Sequence, residues 1–205
     1  MEEVERQALD HAANGDLSPL GDLLETYRPR LRRTIATRMD PRLRCRIDPE
    51  DVLQESLVEV TRRVPSYLEK REMPFFLWVR FLTGQKLLQL NRTHFGAAAR
   101  DIRCELPMER QATPDATSFM VASALLDNGP TPSQVMMKKE ERGELLRALD
   151  DMDAMDREVL VMRHFERLNT LEVSHVLGLT ESGARRRYGR ALRKLQAIIQ
   201  SFSLA

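Results

Sequence analysis

Cysteine is nearly absent from this chain: Cys45 and Cys104 are the only two among 205 residues. They have neither metal-site spacing nor disulfide density, which fits a reduced, cytoplasmic setting. Long apolar runs are absent too. Nothing approaches the roughly 18 to 20 residues of a membrane helix, which argues against membrane insertion. The start, Met-Glu-Glu-Val-Glu, is acidic and lacks a cationic segment followed by an apolar one, so no secretory signal is expected. The histidines are scattered at His11, His94, His164 and His175. No zinc ligand set, glycine-rich phosphate loop or Ser or Cys nucleophile signature appears. The expectation is therefore no metal, no cofactor, no small-molecule substrate and no enzymatic activity. Runs that alternate like strands are also missing, and the periodic stretches have helical spacing.

Charged residues make up 31% and hydrophobic residues 42%, the balance of a globular protein with one mid-sized or two small domains. The net charge of +1 by itself speaks against a nucleic-acid binder, but it sums unlike parts. Segment 28–46 holds eight arginines (28, 30, 32, 33, 38, 42, 44 and 46) against one acid, Asp40. These arginines suit a DNA backbone or salt bridges with the acidic N-terminus, and the sequence leaves both open. From Thr180 onward Arg185, Arg186, Arg187, Arg190, Arg193 and Lys194 face Glu181 alone. Such asymmetry is more informative than the total.

Pro107, Pro114, Pro130 and Pro132 fall between residues 96 and 133, with Asn-Gly-Pro-Thr-Pro at 128–132, a composition typical of linkers. The predicted layout is all-α: two small helical domains joined by a flexible linker, the second a helix-turn-helix domain. Its boundaries are 1–95, 96–136 and 137–205. In the first domain, helices are predicted over 3–14 and 17–39. A third starts at Asp48, with Pro49 at the first helical position and Asp51 three residues past the cap. It buries Leu53, Leu57, Val60 and Val64 and turns Asp51, Gln54, Glu55, Glu59 and Arg62 outward. A fourth runs from Pro74 to about His94. In the second domain, one helix covers about 133–149. The next is capped by Asp153, with Met155, Val159 and Met162 inward. A short helix is capped by Thr170 and ends at Gly178, and a last one begins at Thr180.

Three constellations carry chemistry. In 170–195 a short helix, a tight turn and a second capped helix have helix-turn-helix spacing. Ala184, Tyr188, Ala191, Leu192 and Leu195 mark the buried side. Ser182, Arg185, Arg186, Arg190 and Arg193 project from the other, where arginine suits guanine edges and phosphates. A merely solvated basic helix is the plainer reading, but surfaces of that kind usually mix signs. Helix 75–94 concentrates Phe75, Phe76, Trp78 and Phe81 in a chain only 5% aromatic, with Arg80, Lys86, Arg92 and His94 for charge. Such rings stack on unpaired bases or simply pack as core. Trp78 is expected against the helix that starts at Asp48. The face Asp51, Gln54, Glu55 is a solvated surface, a docking surface for a basic partner or, less naturally, a catalytic carboxylate pair.

DPEDVLQESL at 48–57, FFLW at 75–78, a linker, DREVL at 156–160 and the pattern of 170–195, in that order, resemble a bacterial sigma factor. The two-domain form is similar to the extracytoplasmic-function (ECF) group. The resemblance implies a non-catalytic protein that binds core RNA polymerase and directs it to promoter DNA. An anti-sigma factor or another regulator is a further possible partner. By position, Asp51, Gln54 and Glu55 match the surface that docks on polymerase. Phe76, Arg80, Lys86, Asn91 and Arg92 fall on the segment that captures and opens the minus-ten element. Ser182, Arg185, Arg186, Arg190 and Arg193 fall on the helix that reads the minus-thirty-five element, while Arg187 serves phosphate or structure. Gln85 and Gln89 stand where many ECF members carry Asn and Asp, and Gly84 interrupts the same helix. The alternatives are a conventional helix-turn-helix regulator that acts without being a polymerase subunit, and a helical enzyme using the 48–55 carboxylates.

Overall fold

The computed structural model describes residues 2–44, 46–95, 149 and 151–203. The chain forms two compact units, Met1–Ile102 and Arg103–Ala205, and every regular element among the described residues is a helix. The expected linker over 96–136, and all but Leu149 of the helix expected over 133–149, lie outside the described residues.

The first unit begins with α1 (Glu2–Ala13). Glu3 sits one turn before Arg6 and Gln7 and bonds both, at 2.6 and 3.0 Å, a spacing that supports a helix. The chain leaves α1 through Gly15, whose φ of +88° favours glycine. The Asp16 carboxylate accepts from the Ser18 N–H at 3.1 Å, and α2 (Ser18–Arg38) follows. Pro29 lies inside α2, which removes one backbone bond at about 3 kcal/mol. The helix persists because Leu20, Leu23, Leu24, Tyr27, Leu31 and Ile35 are buried on both sides of it, each worth about 1.5–3 kcal/mol.

After α2 comes a single turn, α3 (Pro41–Arg44), which helical periodicity did not predict. A four-residue element is too short to display a period. Next is α4 (Pro49–Lys70), where the Asp48 carboxylate accepts from the Glu50 N–H at 2.8 Å and proline opens the first turn, as expected. The predicted stripe of Leu53, Leu57, Val60 and Val64 is buried. Arg71 ends α4 in the left-handed conformation, φ 42°. The helix α5 (Phe75–Phe95) runs unbroken past Gly84. Phe75 is fully buried, with ring centroids 5.1 Å from Tyr67 and 5.7 Å from Trp78. Trp78 packs on Tyr67 of α4 at 4.8 Å, as the sequence led us to expect.

The second unit contains α6 (Ala154–His164), α7 (Thr170–Leu177) and α8 (Glu181–Ser203). Asp153 caps α6 through the N–H groups of Met155 and Asp156. Val159 and Met162 face inward as predicted, but Met155 is only half-buried. All seven residues of 156–162 are buried instead, because the helix is enclosed rather than one-sided. The cap of α7 is Asn169, not Thr170. Asn169 and Glu172 exchange backbone bonds, both at 2.8 Å, a reciprocal box that a threonine one residue later does not form. Gly178 closes α7 in the left-handed conformation, φ 62°, which meets the expectation. Leu149, Met152, Leu160, Val161 and Ala191 form the core, with Tyr188, Leu192 and Leu195 against it.

Candidate nucleic-acid interface and docking face

The turn between α7 and α8 presents the last helix. Thr180 Oγ1 accepts from the Gly183 N–H at 3.1 Å and caps α8. Ala184 and Ala191, seven residues or about two turns apart, are almost completely buried and mark the inward side of α8. Ser182, Arg185, Arg186, Arg190 and Arg193 are all exposed. Arg185 meets Glu181 at 3.1 Å with 73% of its side chain exposed, a pair that contributes little and yields readily to a stronger anion. Arg193 Nε donates to the Gly189 carbonyl at 3.3 Å. Arg186 and Arg190 have no ion pair among the described residues. The helix therefore shows a run of available guanidiniums on one face.

Arg187 points the other way. It reaches Asp153 at 2.9 Å and Asp156 at 3.1 Å, and Lys194 reaches Asp156 at 2.7 Å. Only 2% of the Asp156 side chain is exposed. These bonds clamp α8 to the first turn of α6 and fix the angle at which the outer arginines stand. Burial favours the neutral form of Asp153, but the Asp156 N–H, the Arg187 charge and the Met155 N–H outweigh it and hold the carboxyl below its ordinary value. Of the two roles open to Arg187, structure is the one observed. The Tyr188 hydroxyl lies 3.0 Å from His164 Nε2, which further joins α8 to the end of α6.

In the first unit, Asp51, Gln54 and Glu55 are exposed on the first two turns of α4. Their surroundings include cations that sequence spacing did not reveal. Arg28 of α2 pairs with Glu25 at 2.7 Å and with Glu50. With its amide turned so that Oε1 faces Arg28, Gln54 accepts from both Nη atoms at 3.3 Å. The bond to Glu25 chiefly raises the Arg28 pKa further above its already high ordinary value. Glu55 pairs with Lys86 of α5 at 2.5 Å, so a residue expected to face polymerase touches one expected to face DNA. Asp51 carries no ion pair among the described residues. The face is acidic at its centre and tied to cations at its edges.

The residues expected to melt DNA are not brought together as one surface. Phe76 is 4% exposed, lies edge-on to Tyr27 at 5.1 Å and is covered by the Arg30 guanidinium at 3.6 Å. It has no face free to stack on a base, so the expectation for Phe76 is withdrawn. Its burial reflects α5 packing on α2, a contact between distant segments. Arg80 is half-buried and Arg92 exposed, each already engaged in an interaction of its own. Lys86 is half-buried against Glu55. Asn91 is half-buried, and its Oδ1 is buried with no hydrogen-bond partner. Against the start of α5, burial together with the Glu5 carboxylate pushes the Tyr67 hydroxyl up to about 12. Among the described residues, no group of three or more His, Cys, Asp or Glu could hold a metal ion. No described helix is long and apolar enough to cross a membrane.

An all-helical chain whose second unit presents a capped, arginine-faced helix after a tight turn is of the helix-turn-helix DNA-binding class. Comparison with known proteins narrows this. Residues 148–197 match the family described as sigma-70, region 4. The ECF RNA polymerase sigma factor SigD of Mycobacterium tuberculosis (strain ATCC 25618 / H37Rv) is 28% identical over 185 residues, 90% of this chain and 79% of SigD. The probable RNA polymerase sigma factor RfaY of Xanthomonas campestris pv. campestris is 23% identical over 142 residues, 69% of this chain and 32% of RfaY. The fold is similar to the solved structure of CnrH in complex with the cytosolic domain of CnrY, with a TM-score of 0.53, 20% identity and coverage of 97% and 98% of the two chains. The second unit thus carries a sigma-70 region 4 segment, and over most of its length the chain is similar to ECF sigma factors.

Proposed function

We propose that this protein binds core RNA polymerase in the cytoplasm and directs it to specific promoters, without catalysing a reaction itself. The observation that carries this reading is the exposed arginine face of α8, on a segment similar to sigma-70 region 4. Ser182, Arg185, Arg186, Arg190 and Arg193 contact the upstream promoter element in the major groove and along its phosphates. The first unit, residues 1–95, supplies the polymerase-docking and downstream functions, and 96–136 joins it to the upstream-reading unit, 137–205. Asp51, Gln54 and Glu55 dock on a basic surface of polymerase, with unpaired Asp51 making the first contact. Arg80, Lys86, Asn91 and Arg92 attend the downstream element as it opens. A regulatory protein that binds this chain, as CnrY binds CnrH, is a further partner.

The test is transcription from genomic DNA fragments by core polymerase with and without the purified chain, with start sites mapped. The expected result is a set of discrete starts that require the chain and share a motif at two upstream positions. Binding of promoter duplex by the chain without any association with core polymerase would replace this reading with the conventional regulator.

A further inference from the structure

The arginines of segment 28–46 had two possible uses, and among the described residues Arg32, Arg33 and Arg46 make no salt bridge with the acidic N-terminus. The described acids of the N-terminal segment are engaged elsewhere. Glu3 pairs with Arg6 at 2.6 Å, Glu5 accepts from Tyr27, Asp10 lies 3.7 Å from Arg71, and Asp16 lies 3.2 Å from His11. Within the segment, Arg28 is held by Glu25 and Glu50, Arg30 lies over Phe76, and Arg38 and Asp40 have interactions of their own. Arg32, Arg33 and Arg46 remain, with no ion pair among the described residues. Arg32 and Arg46 are exposed and Arg33 is half-exposed, and the Arg33 Nε is buried without a hydrogen-bond partner.

Exposed Arg44 of α3 donates to the Ala36 carbonyl of α2, which ties the short helix to the end of the long one. Arg32 and Arg33 lie four and three residues before Ala36, one helical turn away, and Arg46 follows Arg44 by two. The one acid of the segment is already engaged. No large exposed hydrophobic side chain falls between residues 28 and 46; the exposed ones among the described residues are Val4, Leu17, Val58 and Leu171. A protein interface is organised around apolar or aromatic anchors, whereas a phosphate surface requires only well-placed cations.

We propose that Arg32, Arg33, Arg44 and Arg46 form a second, sequence-independent surface on the first unit that binds the phosphate backbone of duplex DNA. The proposal rests on the promoter-binding reading above but uses none of the residues assigned there. It predicts a contribution to affinity that is the same for every sequence and is screened by salt. Each phosphate contact adds about 0.9 to the slope of log affinity against log salt, so each is worth about a 3.5-fold difference between 50 and 200 mM.

The test compares the full chain with its Arg32→Gln/Arg46→Gln variant, both exposed positions that leave the core intact. Binding to a promoter fragment and to a promoter-free duplex is measured across that salt range, for the free chain and for its complex with core polymerase. The variant is expected to lose affinity for both duplexes by the same factor and to show a shallower salt slope by up to about 1.8, with core polymerase affinity unchanged. Unchanged DNA affinity and slope would overturn the proposal. A loss confined to one sequence would overturn it as well, as would weakened binding to core polymerase in the absence of DNA, which would assign the arginines to an acidic protein surface. If the unsubstituted chain fails to join core polymerase, the sigma reading falls while the free-chain arm still decides the phosphate surface.

Discussion

Asp156→Asn removes the charge at the centre of the clamp between α6 and α8 and keeps the side chain's shape. The native carboxylate is 2% exposed and bonds Arg187 at 3.1 Å and Lys194 at 2.7 Å. The Arg187 side chain is 23% exposed, so its bond to Asp156 is partly desolvated and worth about 1.5–3 kcal/mol. Lys194 is 44% exposed, and screening by water limits that pair to about 1 kcal/mol or less. Arg187 keeps Asp153 at 2.9 Å, and the asparagine retains one acceptor, so part of the loss is recovered. The net expectation is a destabilisation of the second unit by about 2 kcal/mol. The only tryptophan, Trp78, lies in the first unit, so its fluorescence reports that unit alone. In denaturant, Trp78 should unfold at an unchanged midpoint, while amide exchange in α6 and α8 speeds by about 30-fold, the equivalent of 2 kcal/mol. The cycle with Arg187→Met should show a coupling above about 1 kcal/mol. A coupling near zero, or exchange that rises equally in both units, would refute the clamp.

Gly189 sits inside α8 with nothing within 4 Å of an added Cβ, so Gly189→Ala should stabilise the second unit by about 0.8–1 kcal/mol; a lower thermal midpoint would contradict this. Arg186→Ala should weaken upstream-duplex binding by about 1–3 kcal/mol at particular base pairs, and an equal loss on every sequence would assign Arg186 to phosphate. Reversing both Asp51 and Glu55 to Arg should lower affinity for core polymerase and leave free-chain duplex binding undiminished, as paired titrations would show. The folded pKa of Asp153 lies below its unfolded value, so its contribution is fully present above the ordinary aspartate range near 3.9 and drains away as pH falls through and below it. Asp153→Asn should flatten the acid limb of a stability–pH curve below about pH 4, and an unchanged limb would locate the acid sensitivity elsewhere.

Features confined to one turn of chain were legible in the sequence. Asp48 with Pro49 marked the start of α4, and Gly178 the left-handed end of α7, because caps and turns are set by a few neighbouring residues. The cap of α7 was misplaced by one residue because Asn169 and Thr170 are both good caps. Only Asn169 has Glu172 three positions on to complete the box. The four-residue α3 escaped notice because a helix that short has no period.

The sequence by itself determined an all-helical chain, the outward face of α8 and the acidic face of α4, since helical periodicity sorts buried from exposed positions along one element. It could not assign partners across elements. Arg28 and Glu50 are 22 residues apart, Arg187 and Asp153 are 34, and Lys194 and Asp156 are 38. Such pairs meet only when helices pack. Packing also buried Phe76, turned Arg187 into a clamp while its neighbour Arg186 stayed free, and left Arg32, Arg33 and Arg46 without an ion pair among the described residues. Charges and rings in a sequence are inventories. Tertiary packing decided which of them were spent inside the fold and which were left for a partner.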